Sequence, residues 1–285
     1  MPVILITGAN GQMGRELRTL AATYSAPTFI FTDREELDIT RPVEIQRQLE
    51  AHRPDVLINC AAYTAVDKAE SEPEEAAMIN AGAPGFLAKA CAETGTFLIH
   101  LSTDYVYDNQ RNRPLLETDD VYPQSVYART KLEGEYAIWE RTERAMVLRT
   151  SWVYSPFGHN FVKTMLRLGK KRQPLRIVVD QIGTPTYGWD LAQAILEIII
   201  NHPYADHPGT YNYSNEGVAS WYDFAMAIFT ERNMLCPVDP ILSEAYPTPA
   251  HRPVYSVLDK TKIKETFDLE IPHWIDSLHH CLSRM

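Results

Sequence analysis

The chain has 285 residues, 45% of them hydrophobic and 22% charged, with 13 glycines and 19 prolines. That is the composition of a folded globular protein, and it excludes a disordered, collagenous or coiled-coil chain. A net charge of −10 opposes binding to nucleic acid or to an anionic membrane surface, so any anionic ligand must be held by local groups.

Short apolar runs at residues 3–6, 29–32, 56–60, 97–101 and 146–149 have the length and composition of strands. Helical patterns separate them. Met13, Leu17 and Leu20 keep helical spacing after the first run, Ile45 and Leu49 after the second, and an Ala-rich stretch interrupted by Pro84 follows the third. Strand and helix in alternation predict an α/β protein with a Rossmann-type, doubly wound parallel sheet, and the near-continuous apolar strands predict burial on both faces.

Beyond Tyr154 the alternation weakens, proline and glycine become denser, and helical patterns appear at 161–168, 191–200, 221–229 and 274–282. These predict a smaller, mainly helical substrate lobe. The 191–200 segment is apolar enough to pack on the sheet, so the expected division interleaves: residues 1–155 plus about 184–215 for dinucleotide binding, and about 156–183 plus 216–285 for the lobe.

No run of about 18 uncharged apolar residues occurs, and Met1 leads into Val3-Ile4-Leu5-Ile6 without a basic leader, which predicts a cytoplasmic protein. Cys60, Cys91, Cys236 and Cys281 are far apart and contain no CxxC pair, so they are read as reduced thiols without a metal. Asn212-Tyr213-Ser214 fits a glycosylation acceptor pattern that carries no weight without secretion.

Thr7-Gly8-Ala9-Asn10-Gly11-Gln12-Met13-Gly14 follows the first strand and opens the first helix. Glycines at Gly8, Gly11 and Gly14 allow a tight turn and a close approach to a pyrophosphate, whose charge the helix N-terminus meets. Asp33 ends the second strand about 20 residues beyond Gly11, where an acidic side chain takes ribose hydroxyls. Arg34 follows and can instead face a 2′-phosphate, so both NADH and NADPH are open as cofactors.

Tyr127 and Lys131 share a helix face in Ser125-Val126-Tyr127-Ala128-Arg129-Thr130-Lys131. A nearby ammonium is expected to lower the phenol's pKa and make Tyr127 a proton donor to a carbonyl that accepts hydride. The fourth strand ends in Leu101-Ser102-Thr103-Asp104-Tyr105-Val106-Tyr107, which brings Thr103 to the carboxyl edge of the sheet, within reach of the same oxygen.

Together, the glycine loop, Asn59-Cys60-Ala61-Ala62, Ser102-Thr103-Asp104 and Tyr127-x-x-x-Lys131 resemble the extended short-chain dehydrogenase/reductases. Within them, Cys60-Ala61-Ala62-Tyr63-Thr64-Ala65-Val66-Asp67-Lys68-Ala69-Glu70, Arg149-Thr150-Ser151-Trp152-Val153-Tyr154, Asn160-Phe161-Val162-Lys163-Thr164-Met165 and Tyr246-Pro247-Thr248-Pro249-Ala250-His251-Arg252-Pro253 are similar to the dTDP-4-dehydrorhamnose reductases. The resemblance implies reduction by NADPH or NADH of the C4 ketone of a dTDP-linked sugar, dTDP-4-dehydro-6-deoxy-L-mannose, in dTDP-rhamnose biosynthesis.

By the same resemblance Gly8, Gly11, Gln12 and Met13 lie at the pyrophosphate, Asp33, Arg34, Asp38 and Ile39 at the adenosine, and Ala62, Tyr63 and Thr64 along the cofactor. Lys131 then holds the nicotinamide ribose beside Tyr127. Thr103, Asp104 and Trp152 face the sugar, and Asn160 and Arg252 contact its nucleotide. A homodimer is the assembly open to such a chain. Some members bind Mg²⁺ through carboxylates between subunits, but here Glu16 is matched by Trp189 where a second ligand would stand, so no metal is expected. His279 and His280 are adjacent, point apart on a helix and make a poor chelate. The rival readings are another nucleotide-sugar reductase, an epimerase, a dehydratase, and a non-catalytic dinucleotide-binding regulatory subunit.

Overall fold

Val3–Thr7 forms β1, and its last four residues are buried because helices cover both faces of a parallel sheet. The computed structural model describes residues 1–107 and 111–285. After β1 come α1 (Gln12–Ala21), β2 (Thr28–Phe31), α2 (Pro42–His52), β3 (Val56–Asn59), α3 (Val66–Ala69), α4 (Pro73–Ala77), α5 (Ala83–Thr94), β4 (Phe97–Thr103), α6 (Val126–Trp139) and β5 (Ala145–Thr150). The second half contributes β6 (Val153–Tyr154), α7 (Phe161–Gly169), β7 (Leu175–Val178), β8 (Ile182–Gly183), β9 (Thr186–Tyr187), α8 (Gly188–Asn201) and β10 (Gly209–Tyr213). It ends with β11 (Ala219–Ser220), α9 (Trp221–Glu231), β12 (Val238–Ile241), α10 (Thr261–Phe267) and α11 (Trp274–Ser283).

Six strands make one parallel sheet in the order β10-β5-β4-β3-β1-β2, the doubly wound architecture expected from the alternating pattern. Connections change direction between β1 and β3, which opens a crevice beyond their carboxyl ends. Register places Thr7 beside Asn59, Asn59 beside His100, and Thr103 beside Thr150. Met13, Leu17 and Leu20 of α1 pack with Leu191, Ile195 and Ile198 of α8 on one face. Ile45 and Leu49 of α2, Leu87 and Cys91 of α5 and Ile138 of α6 cover the other.

Pro84 does not break its helix. A π-helical turn over Met78–Gly82 joins α4 to α5, and Pro84 sits in the first turn of α5, where its missing N–H is least costly. The lobe is built on an aromatic core in which Tyr154, Phe224 and Trp274 pack with Val162, Ile228 and Leu278. Besides its helices it carries small two-stranded pairings, β7 with β12 and β8 with β11. α10 departs from its neighbours in sequence, because Ile263 and Phe267 join the core on the α1 and α8 side of the sheet. Within β10, Asn212 accepts from the Tyr107 hydroxyl at 2.8 Å and donates to the Leu115 carbonyl at 2.8 Å, so the acceptor-like tripeptide is interior structure.

Candidate active site

The loop after β1 is shaped by what a side chain would hit. Gly8 has φ +64°, and a Cβ there would lie 2.7 Å from the Ala61 nitrogen; one on Gly14 would lie 2.5 Å from the Ala9 Cα. Only glycine lets the turn lie against β3 and the helix start against the turn. Gly11 caps α1 without a side-chain hydrogen bond, which leaves the first-turn amides free for an anion. Met13 offers only its backbone to that turn, since its side chain is in the core.

A cleft of about 290 Å³ runs from this loop along the sheet edge, lined by Gly8, Gly11, Asp33, Arg34, Asp38, Ile39 and Ala62. The structure thus brings together most of the residues expected at the dinucleotide. Asp33 accepts from the backbone N–H groups of Asn10 at 2.8 Å and Arg34 at 2.7 Å, which fixes its carboxylate at the end of β2. Asp38 is held below the usual carboxylate range by its bond from the Thr40 hydroxyl. Tyr63 is pinned through its backbone, its N–H to Asn80 Oδ1 at 2.9 Å and its carbonyl from Asn80 Nδ2 at 3.0 Å, while its phenol turns away to Glu72; Thr64 is exposed beside it. These residues fit a dinucleotide: a cradle that a Cβ would fill, open helix amides, and an acidic group at the ribose end.

Ser125 caps α6 by accepting from the Ala128 N–H, and this places Tyr127 in the first turn, with its phenol in hydrogen-bonding reach of Thr103 at the end of β4. Tyr105 packs edge-on against the Tyr127 ring, at 5.8 Å between centroids. Thr103 Oγ1 donates to Asp104 Oδ1 at 3.2 Å. Asp104 Oδ2 is buried with no partner among the described residues, and burial raises this carboxyl to about 7. Near neutral pH it therefore changes from donor to acceptor.

One expectation is corrected. Lys131 does not lower the Tyr127 pKa; burial pushes the phenol up to about 12. The Lys131 amine instead donates to the Leu101 carbonyl at 2.6 Å and lies 3.3 Å from His100 Nε2, and its own burial brings it down to about 8. Lys131 is buried and Tyr127 half-buried among its neighbours, so desolvation favours the neutral form of each and outweighs the attraction the spacing suggested.

Trp152, expected at the sugar, adopts φ +46°, a left-handed backbone rare for a bulky residue, and stacks on Trp221 at 3.5 Å between ring centroids. Asn160 caps α7 by accepting from the Lys163 N–H, and its Nδ2 donates to Gln12 Oε1 at 2.8 Å and to the Ser155 carbonyl at 2.8 Å. Its amide is thus spent on joining lobe to glycine loop. Arg252 makes a bidentate pair with Asp67 at 2.7 and 2.9 Å, bringing the 246–253 segment against the residues that follow β3.

The whole chain, residues 1–285, matches the RmlD substrate binding domain family. It is 41% identical to the dTDP-4-dehydrorhamnose reductase of Escherichia coli over 95% of this chain and 94% of that one. The chain belongs to the dTDP-4-dehydrorhamnose reductase family. Among solved structures, a dTDP-4-dehydrorhamnose reductase of Clostridium acetobutylicum superposes with a TM-score of 0.93 at 41% identity, covering 99% of each chain. One from Bacillus anthracis, in complex with NADP, gives 0.93 at 37% identity, covering 100% of this chain and 99% of that one.

Glu16, expected to face Trp189 in place of a second metal ligand, is paired with a cation, while its Oε1 is buried without a partner among the described residues. Glu16 is wholly buried, and its Oε2 is met at 2.9 Å by the Arg284 guanidinium, which also lies 4.3 Å over the Trp189 ring and bonds the Tyr187 hydroxyl. Among the described residues no group of three His, Cys, Asp or Glu side chains could hold a metal ion. Burial raises the Glu16 pKa despite Arg284. Arg284→Ala should therefore cost about 2 kcal/mol at neutral pH, below the range for fully buried pairs because Arg284 is partly exposed. A carboxyl whose folded pKa is raised destabilises as pH climbs above its unfolded value, so the deficit should shrink on acidification towards the carboxylate range. Denaturant midpoints showing one deficit at both ends of that range would refute this.

His279 Nε2 pairs with Glu231 at 2.9 Å while His280 packs edge-on against Tyr187 and Trp189, so the two histidines do point apart. Burial pushes the Cys60, Cys91 and Cys281 thiols up to about 12, which disfavours their thiolates. Sequence reasoning missed Asn80, His100 and the Glu135 and Arg149 pair. The only signal was polar residues within otherwise apolar runs.

Proposed function

We propose that the chain reduces the C4 ketone of dTDP-4-dehydro-6-deoxy-L-mannose to dTDP-L-rhamnose, in dTDP-rhamnose biosynthesis. The carrying observation is the Tyr127 phenol in hydrogen-bonding reach of the buried Thr103 hydroxyl at the sheet's carboxyl edge, the same edge that bears the cleft lined by Gly8, Gly11 and Asp33. Bound NADPH or NADH would supply the hydride to C4. Gly8, Gly11 and the α1 amides would hold its pyrophosphate, Asp33, Asp38 and Ile39 its adenosine, Ala62 to Thr64 its length, and Lys131 its nicotinamide ribose. Thr103 donates a hydrogen bond to the ketone oxygen, and Tyr127, kept protonated by burial, releases its proton to that oxygen as negative charge develops. Asp104 and Trp152 frame the sugar, with Asn160 and Arg252 on the nucleotide side.

Residues 1–155 with about 184–215 form the dinucleotide-binding part in this reading, and about 156–183 with 216–285 the sugar lobe, α10 being the piece of the lobe docked on the sheet. We place the protein in the cytoplasm, where its free cysteines stay reduced, and take a homodimer as its working assembly. No helix among the described residues is long and apolar enough to cross a membrane.

The related dehydratases carry a glutamate after Thr-Asp as the extra base that eliminates water. Tyr105 stands there here, and burial raises its phenol far above neutrality, so it cannot take that role. Purified protein should consume one dinucleotide per turnover of the dTDP-4-keto sugar, followed at 340 nm. Formation of a 4-keto-6-deoxy product from dTDP-glucose and NAD, with no net change in dinucleotide, would overturn the reading. Arg34 lines the adenosine end, so Arg34→Ala should weaken NADPH use and spare NADH. Equal loss with both cofactors would show that Arg34 does not read the 2′-phosphate.

A further inference from the structure

His100 lies in β4 with 1% of its surface exposed, and no step of the proposed reaction uses it. Its Nδ1 is 2.9 Å from the Asn59 side-chain nitrogen, and its Nε2 is 3.3 Å from Lys131 Nζ. The backbone decides which ring nitrogen carries the proton. Asn59 Oδ1 accepts from the Ala61 N–H at 3.2 Å, and a backbone N–H can only donate, so Asn59 must turn its oxygen there and its NH₂ towards His100. The Thr7 hydroxyl donates to the same oxygen at 2.7 Å. His100 Nδ1 therefore accepts. Burial, then the charge of Lys131, hold the ring's pKa well below its usual value, and a neutral imidazole that accepts at Nδ1 carries its hydrogen on Nε2. That N–H points at Lys131. A free amine accepts it through its lone pair, whereas an ammonium has none to offer.

We propose that His100 is a positioning residue for Lys131: fixed by Asn59 as the Nε2–H tautomer, it anchors the amine against the Leu101 carbonyl and favours its uncharged form. The proposal rests on the role given to Lys131 above. Glu135, one turn further along α6, is the acidic group that faces Lys131, and its carboxylate favours the ammonium. It is already engaged by Arg149 from β5 and by Ser102 from β4. Tyr127 lies one turn back on α6, and β3 offers the neutral Asn59. His100 thus opposes Glu135 in setting the charge of a group that burial alone has brought near the working pH.

Nitrogen NMR of labelled histidine in the purified enzyme reads the tautomer without any assay. A neutral Nε2–H ring at His100 from about pH 6 to about pH 9 is expected, and an Nδ1–H ring or an imidazolium would overturn the proposal. His100→Leu removes the donor, and His100→Gln keeps one. Where activity requires the Lys131 ammonium, the Leu variant should carry its alkaline limb of kcat/KM upward by about one pH unit, and the Gln variant should return it towards wild type. An unmoved limb in a folded Leu variant sinks the proposal; should that variant not fold, the Gln profile and the NMR tautomer decide. Tyr127→Phe judges the reaction itself, and its result leaves the tautomer reading untouched.

Discussion

Replacing Tyr127 by phenylalanine should lower turnover by about 10²-fold or more, while dinucleotide affinity stays within a few-fold of wild type. The ring keeps its packing against Tyr105 and gives up only the hydroxyl's contact with Thr103, so the folded structure and the cleft lined by Gly8, Gly11 and Asp33 are preserved. What disappears is the proton for the ketone oxygen. Thr103 remains and can still polarise the carbonyl, and Asp104, bonded to it and titrating near 7, is the remaining proton source, so turnover slows without being abolished. Stopped-flow single turnovers with fluorescence titration of NADPH separate the two quantities; near-normal turnover would remove Tyr127 from the role of acid.

Arg149→Met should destabilise the fold by about 3–5 kcal/mol, the largest effect expected from a residue outside the reacting pair. Arg149 reaches from β5 to Glu135 on α6 with contacts at 2.6, 3.0 and 3.1 Å, and Glu135 is 1% exposed. Removing the guanidinium strands a carboxylate in the interior. The cost lies in leaving one charge alone, so the double variant Arg149→Met with Glu135→Leu should recover most of the stability in urea melts. A double variant as unstable as the sum of the two singles would argue against this account. Because Ser102 also bonds Glu135 and precedes Thr103, the Met variant should lose activity at temperatures where it is still folded.

The sheet was legible because each of its first five strands is a short apolar run and each crossover helix carries an apolar stripe, signals of periodicity alone. β10 escaped: Gly209 to Tyr213 alternates tyrosine with threonine and asparagine, and its place beside β5 depends on Asn212 bonding Tyr107 and Leu115, partners about a hundred residues away. Pro84 suggested a break because a proline removes one hydrogen bond from a regular helix, whereas a π turn absorbs the defect just before it. In the site, the glycines were legible from spacing, since what they supply is a backbone shape. The charge states were not. Tyr127 and Lys131 stand at helical spacing in both readings, but their pKa values follow from burial, which no local pattern reports. Asn160 is similar: its N-cap position is legible from the helix start, while its bond to Gln12 spans 148 positions in the chain.

That last bond has a thermodynamic consequence. Gln12 belongs to the first turn of α1, and its side chain is held both by Val153 and Ser155, which follow β5, and by Asn160 of the lobe. A tilt of the lobe on binding a sugar nucleotide would pull on the first turn of α1 through the Asn160–Gln12 bond. By reciprocity, whatever factor the bound sugar nucleotide applies to dinucleotide affinity, the dinucleotide must return to the sugar nucleotide, so the order in which the two arrive changes the route to the ternary complex and leaves its total free energy the same.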